Sequence, residues 1–329
     1  MRKIEEIGEK KAIEIIWDCL DIMPNTPVPL GDDVSAIEFE KNKLAVVKVD
    51  MLVGKTDVPP GMSLRQAARK AVVMNVSDFA SKGVKPLIVL SSIGLPKNFT
   101  EEDIEQIGLG LNEGAREYEA FLVGGDMNEA SEIIIDCALL GFCNKNILVK
   151  RSGAKPGDLV AVTGCFGKTS SGLMILLENL SVPEEVRKPL IEAVLLPQAR
   201  LKEGLTLAES KVLSASIDSS DGLAWSLYEL SDASNVGFLI DKVPVAPEVE
   251  EFSKKYGLDP LELSLYGGEE YELVVTVKPE LWRKAKKAME KLGASLTVIG
   301  KVVEEKTVEL KKNEEIIHIK RRGWEHFKT

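Results

Sequence analysis

Apolar residues at Ile4, Ile7, Ile13, Ile16 and Leu20 recur at the spacing of one helix face, so residues 4–20 are predicted to form an amphipathic helix. Pro24, Pro27 and Pro29 stop it. The short apolar run 44–49 reads as a strand that ends at Asp50. Residues 63–82 read as a helix with Leu64, Ala67, Ala68, Ala71 and Val72 on one side, and 86–93 as a buried strand. At Thr100-Glu101-Glu102-Asp103 a hydroxyl can accept from free amides and the acids face the positive end of the helix dipole, which starts a helix running to about Tyr118. Residues 121–123 and 133–142 read as strands.

The turn-rich stretch Arg151-Ser152-Gly153-Ala154-Lys155-Pro156-Gly157-Asp158 marks a boundary, giving an N-terminal domain over 1–148 and a C-terminal domain over 149–329. Beyond it come a strand at 159–163, a Gly-rich turn and a helix from about Ser170. A strand at 211–217 then leads to a helix near Ser220, and strands at 273–277 and 296–303 flank a Lys-rich helix. Strands mixed with helices in both halves predict a two-domain α/β or α+β protein.

The 329 residues are enough for two cores, and 44% hydrophobic with 29% charged residues is ordinary globular composition. A formal net charge of −10 argues against nucleic acid as a partner. No run reaches the roughly 18–20 apolar residues of a membrane span, and the mixed-sign N-terminus lacks a signal-peptide core. Cys19, Cys137, Cys143 and Cys165 form no C-x-x-C pair, so the expected location is cytoplasmic. The two histidines, His318 and His326, both lie near the C-terminus, which disfavours a His-centred triad or a histidine zinc site.

Acids recur beside small residues at predicted strand ends: Gly31-Asp32-Asp33, Val49-Asp50-Met51, Asn75-Val76-Ser77-Asp78, Gly124-Gly125-Asp126, Ile217-Asp218-Ser219-Ser220-Asp221-Gly222 and Gly267-Gly268-Glu269-Glu270. Each segment alone reads more readily as turn or cap chemistry; Asp218 and Ser220 can simply cap the helix that follows. Taken together they describe a pocket of like charges, if they converge. Two carboxylates about 4 Å apart repel by roughly 4 kcal/mol at an effective dielectric near 20, so such a pocket needs protons or cations. Oxygen donors without His or Cys suit Mg2+, which keeps water and takes phosphate oxygens as further ligands. The lookalike P-loop Gly164-Cys165-Phe166-Gly167-Lys168-Thr169 has Val162 where the first glycine must stand, so it is not a Walker motif, although its turn can offer amides to an anion.

These segments, in this order, with Ala71-Val72-Val73-Met74 before Asn75, Tyr271-Glu272-Leu273 after Glu270, and Gly323-Trp324-Glu325-His326-Phe327 at the end, resemble the thiamine-monophosphate kinase family of the aminoimidazole ribonucleotide synthetase-like superfamily. The resemblance spans nearly the whole chain. It implies a homodimer whose N-terminal sheet pairs across the subunits, a C-terminal α/β domain, and transfer of the ATP γ-phosphoryl to thiamine monophosphate. It implies Mg2+ at Asp33, Asp50, Asp78, Asp126, Asp218 and Asp221, and ATP at Gly125, Asp126, Arg151 and Ser220. Glu269 and Trp324 would meet the thiamine end, with Trp324 either stacking on it or plugging the core. No catalytic group beyond the metal ligands is implied, since a phosphate acceptor needs no strong base.

The chain also departs from that family's pattern. Lys48-Val49-Asp50 stands where many members have Ser-Thr-Asp, Asp57 where they carry a substrate-binding His, Met127 for Thr and Glu270 for Asp. Two other readings accompany the kinase: an ATP-dependent synthetase of the same superfamily with another acceptor, and a non-catalytic nucleotide- or thiamine-binding protein. A selenophosphate synthetase is disfavoured, because no Cys lies near Gly31.

Overall fold

The computed structural model describes residues 3–313 and 315–327. The first half begins with α1 (Ile4–Trp17), kinked at Gly8, and contains β1 (Ser35–Glu40), β2 (Lys43–Val53), β3 (Pro86–Leu95), β4 (Phe121–Glu129) and β5 (Ile134–Asn144). These strands form one sheet in the order β1-β2-β5-β3-β4, antiparallel except for β3 with β4. The short α2 (Gly54–Asp57) precedes α3 (Leu64–Lys82), and α4 (Glu101–Glu117) lies beside α3.

The second half holds a mixed sheet in the order β12-β11-β8-β10-β6-β9-β7. Its strands are β6 (Leu159–Val162), β7 (Leu213–Asp218), β8 (Gly237–Ile240), β9 (Leu273–Val277), β10 (Thr297–Val303), β11 (Val308–Lys312) and β12 (Glu315–His318). Its helices are α5 (Lys168–Glu178), α6 (Glu184–Leu195), α7 (Leu201–Glu209), α8 (Leu223–Ser234), α9 (Pro247–Tyr256), α10 (Pro260–Tyr266) and α11 (Trp282–Leu292). Two mostly antiparallel sheets with helices make this the α+β form of the expected class.

The central element is α3. Ser63 and Gln66 cap its first turn reciprocally, with bonds of 3.2 and 2.9 Å, and Gly83 ends it at φ +67°. The sequence pattern predicts one apolar side, yet α3 is buried nearly all round. The first sheet, α4 and the second half, through α7 and β7, each cover a face. A Cβ at Gly204 of α7 would lie 1.9 Å from the Ala80 carbonyl oxygen, so the two helices meet backbone to backbone and only glycine fits. One apolar cluster runs from Leu44 and Val46 in the first half to Leu207, Val275 and Val277 in the second, so the halves share a core.

Strand alternation decides what the first sheet shows to each side. Leu44, Val46, Lys48, Asp50 and Leu52 face α3, whereas Val47, Val49 and Met51 point to a face that no described residue covers. The expected buried strand at 86–93 is likewise buried on one face only, at Val89 and Ser91, while Leu90 and Ser92 are exposed. Both β2 and β4 outrun their expected ends. Asp50 therefore sits inside a strand, and Gly124-Gly125-Asp126 lies within β4 instead of in a turn after it.

Candidate active site

Asp33 precedes β1, Asp78 lies in α3, and Asp218 ends β7; their carboxylates come within 4.8 Å of one another, and all three are buried. On α3, Lys70, Ser77, Asp78, Ser81 and Lys82 share one side by helical spacing, and that side faces the other two acids. Ser77 Oγ donates to Asp218 Oδ2 at 2.6 Å and Ser81 Oγ to Asp33 Oδ2 at 2.7 Å. Arg151 Nε donates to Asp33 Oδ1 at 2.5 Å, and its Nη1 donates to the Gly31 carbonyl and to Glu229. Lys82, fully buried, lies 2.7 Å from both Asp32 and Asp33 and donates to the Ser216 carbonyl at 2.8 Å. Sequence reasoning missed Lys82, because a lysine in the last turn of a helix reads as an ordinary partner for the dipole.

Around this trio the other expected residues divide. Asp50 joins it through Lys48, whose Nζ is 3.0 Å from Asp50 Oδ1 and 3.0 Å from Asp78 Oδ2. Sequence reasoning gave Lys48 no role of its own; strand alternation carries it inward. Asp221 adjoins Asp218, and its carbonyl accepts from the Trp324 amide at 3.0 Å. Trp324 is 51% exposed and meets His326 edge-on, so it does not plug the core. Glu269 pairs with the buried Lys70 at 2.5 Å, and its amide donates to the carbonyl of the exposed Ser220.

Two expected site residues are placed otherwise. The Asp57 carboxylate accepts from the Val53 amide at 2.7 Å and from Thr56 Oγ1 at 3.1 Å, so it closes its own turn instead of facing open space. Asp126 is not part of the trio: on the edge strand β4 it is the register partner of the exposed Ser92 and is itself exposed. Its neighbour Gly125 serves strand pairing, since a Cβ there would lie 1.9 Å from the Ser91 carbonyl oxygen. The P-loop lookalike does hold an anion, but an internal one. Glu270 Oε1 accepts from the Gly167 amide at 2.7 Å, the Thr169 amide at 3.2 Å and Thr169 Oγ1 at 2.9 Å. The amides at the start of α5 are thus taken by the chain's own carboxylate.

The electrostatics split the acids into two kinds. Burial raises the Asp33 pKa, but the Arg151 guanidinium and the Lys82 ammonium outweigh it and hold the carboxyl below its usual range. Burial pushes Asp78 up, and Asp218, Asp50 and Asp33 add repulsion that Lys48 only partly offsets. Asp218 is pushed up to about 6, by burial and then by Asp33. Asp221 rises to about 7, by burial and then by Glu9 and Asp218. Glu270 also rises to about 7 through burial, in spite of its hydrogen bonds.

A hard divalent cation suits this chemistry. The donors are oxygens only, the charge on Asp78 and Asp218 is under-compensated, and Asn75 Oδ1, one helical turn from Asp78, is buried with no hydrogen-bond partner among the described residues. A stability signature follows. Asp218, Asp221 and Glu270 titrate above their unfolded values, so what they contribute to metal-free stability is present below about pH 4 and lost as pH rises through about 6 to 7. In EDTA the melting temperature is expected to fall across that window. Added Mg2+ is expected to raise it by an increment that grows with pH. A scanning-fluorimetry series with a flat EDTA profile and no pH-dependent Mg2+ increment contradicts this assignment.

Two mixed sheets meeting around a buried oxygen-donor cluster define an AIR synthase-type protein: the AIR synthase related protein N-terminal domain matches residues 31–143 and the C-terminal domain residues 155–313. The thiamine-monophosphate kinase of Pyrococcus horikoshii is 40% identical over 301 residues, covering 91% of each chain. That of Nitrosopumilus maritimus is 36% identical, covering 91% of this chain and 93% of its own. The solved structure of AaThiL complexed with AMPPCP and TMP superposes with a TM-score of 0.87 at 29% identity, covering 99% of each chain. The chain belongs to the thiamine-monophosphate kinase family.

Proposed function

We propose that this chain transfers the γ-phosphoryl group of ATP to the phosphate of thiamine monophosphate, giving thiamine diphosphate and ADP. The observation that carries the reading is the buried Asp33, Asp78 and Asp218 trio in a member of this family. Asp33, Asp78 and Asp218 would hold Mg2+, with Asp50 and Asp221 at the margin. Bound Mg2+ supplies neutralisation of the polyphosphate and of the charge that spreads over the phosphoryl group in transit.

The chain's own groups prepare that binding. Arg151, Ser81 and Lys82 hold the Asp33 carboxylate charged and aimed, and Ser77 fixes Asp218. Rigid placement from both halves serves alignment, which is most of what phosphoryl transfer needs. One bond forms between an acceptor phosphate oxygen and the γ-phosphorus while the bond to the ADP oxygen breaks. The acceptor oxygen is already anionic, so the absence of both histidines from the trio costs nothing. Trp324, exposed beside Asp221 and Gly268, offers a flat face to the cationic thiazolium. Purified protein incubated with ATP, Mg2+ and thiamine monophosphate is expected to yield equal amounts of ADP and thiamine diphosphate. No product above the enzyme-free blank refutes the reading, and ADP released only with another acceptor favours the synthetase alternative.

The uncovered face of the first sheet supports a homodimer. Ile37, Val47, Val49, Met51, Leu90 and Phe142 are each 45–57% exposed there, and Phe39 meets Phe142 edge-on at 5.3 Å. A patch of this kind on one sheet face is an association surface. Val49→Glu is expected to shift the protein from dimer to monomer in light scattering, whereas a wild-type protein already monomeric at micromolar concentration rules the pairing out.

A further inference from the structure

One cation in the acidic centre is part of the chain itself. Alternation along β2 points Lys48 at α3, where its Nζ lies 3.0 Å from Asp50 Oδ1 and 3.0 Å from Asp78 Oδ2. Its side chain is only 20% exposed. A compact ammonium between two carboxylates has the contacts that a divalent ion would otherwise make, at the cost of one unit of charge. An ammonium has three N–H donors; two have carboxylate partners, and the third has none among the described residues. Asn75 Nδ2 donates to the Asp50 carbonyl at 3.4 Å while its buried Oδ1 has no partner among the described residues.

We propose that Lys48 is a tethered cation standing in the Asp50–Asp78 position in place of an exchangeable divalent ion, with its third N–H directed to a phosphate oxygen of the substrates. The inference rests on the reading of the trio as a divalent-cation site. It makes the metal complement smaller by one ion per subunit than the carboxylate count alone would support. Exchangeable metal is left to the Asp33–Asp218 side of the cluster, where Lys82 and Arg151 meet Asp33 but Asp218 has no ion pair among the described residues. A chain-borne cation cannot dissociate, so this part of the site is charge-compensated at any metal concentration.

The test is metal stoichiometry. Mn2+ binding without nucleotide is counted by electron paramagnetic resonance of the free ion for wild type, Lys48→Met, Lys48→Ser and Lys48→Arg. Wild type and Lys48→Arg are expected to bind the same number, and Lys48→Met and Lys48→Ser one more ion per subunit. Equal stoichiometry and affinity in all four overturns the proposal, as does loss of an ion in Lys48→Ser. No Mn2+ binding by wild type refutes the underlying metal reading instead, which keeps the two failures apart. Should the variants not fold, anomalous diffraction from wild-type crystals soaked in Mn2+ decides. A peak ligated by both Asp50 and Asp78 overturns the proposal, and peaks confined to the Asp33–Asp218 side uphold it.

Discussion

Asp78→Asn is expected to lower turnover by about 100-fold or more at fixed Mg2+, since even outer-sphere supports of a metal site commonly cost 10- to 100-fold. Asp78 lies between the other two carboxylates of the trio and the Lys48–Asp50 pair, so its loss disturbs both parts of the site. The same substitution acts oppositely on the metal-free fold. Burial and three neighbouring acids already push the Asp78 carboxyl toward its neutral form, which an amide mimics in shape. In EDTA the variant is therefore expected to melt close to wild type, since the amide oxygen can still accept from Lys48 and Asp50 still pairs with it, and to lose most of the Mg2+ increment. Activity within a few-fold of wild type removes the metal assignment. Reduced activity together with a large fall in the EDTA melting temperature makes Asp78 a structural residue instead.

The largest loss of stability is expected from Lys82→Met. Lys82 is fully buried, and it is the shared partner of Asp32 and Asp33. Removing one member of a buried ionic group leaves uncompensated charge, an effect of about 3–5 kcal/mol. Arg151 still meets Asp33, which places the expected value at the lower end of that range. The loss is read as a lower urea midpoint at unchanged slope. A pH series gives a second readout. In wild type the depressed Asp33 pKa contributes stability above the unfolded carboxylate value, lost as pH falls through the folded one. With Lys82 gone that acid-side dependence is expected to shrink. A variant as stable as wild type at neutral pH contradicts the role given to Lys82.

Much of the fold was legible along the chain where local signals are strong. The Thr100 cap appears as read, with Thr100 Oγ1 accepting from the Asp103 amide at 3.2 Å, and β9 falls on the expected 273–277. The strands β1, β8, β11 and β12 went unread because they are short and depend on neighbours for their pairing. Helices α6, α7, α9 and α10 were also not read. In the first, Pro189 stands inside the helix and masks the pattern.

The acid-rich segments and the lack of a histidine centre were sequence properties, and they sufficed to point to oxygen-ligated metal and phosphate chemistry. Which acids meet was not. Asp33, Asp78 and Asp218 lie far apart in the chain and join only because α3 is wedged between the two sheets. Asp126 has the same local signature as these acids, yet β4 continues through it and turns it to the uncovered face. Lys48 and Lys82 look like ordinary surface lysines in sequence; a strand's pleat and a helix's register turn them inward. Local chemistry is written in neighbouring residues, whereas the sign and spacing of charge in a pocket depend on contacts among segments separated along the chain, and packing alone sets those.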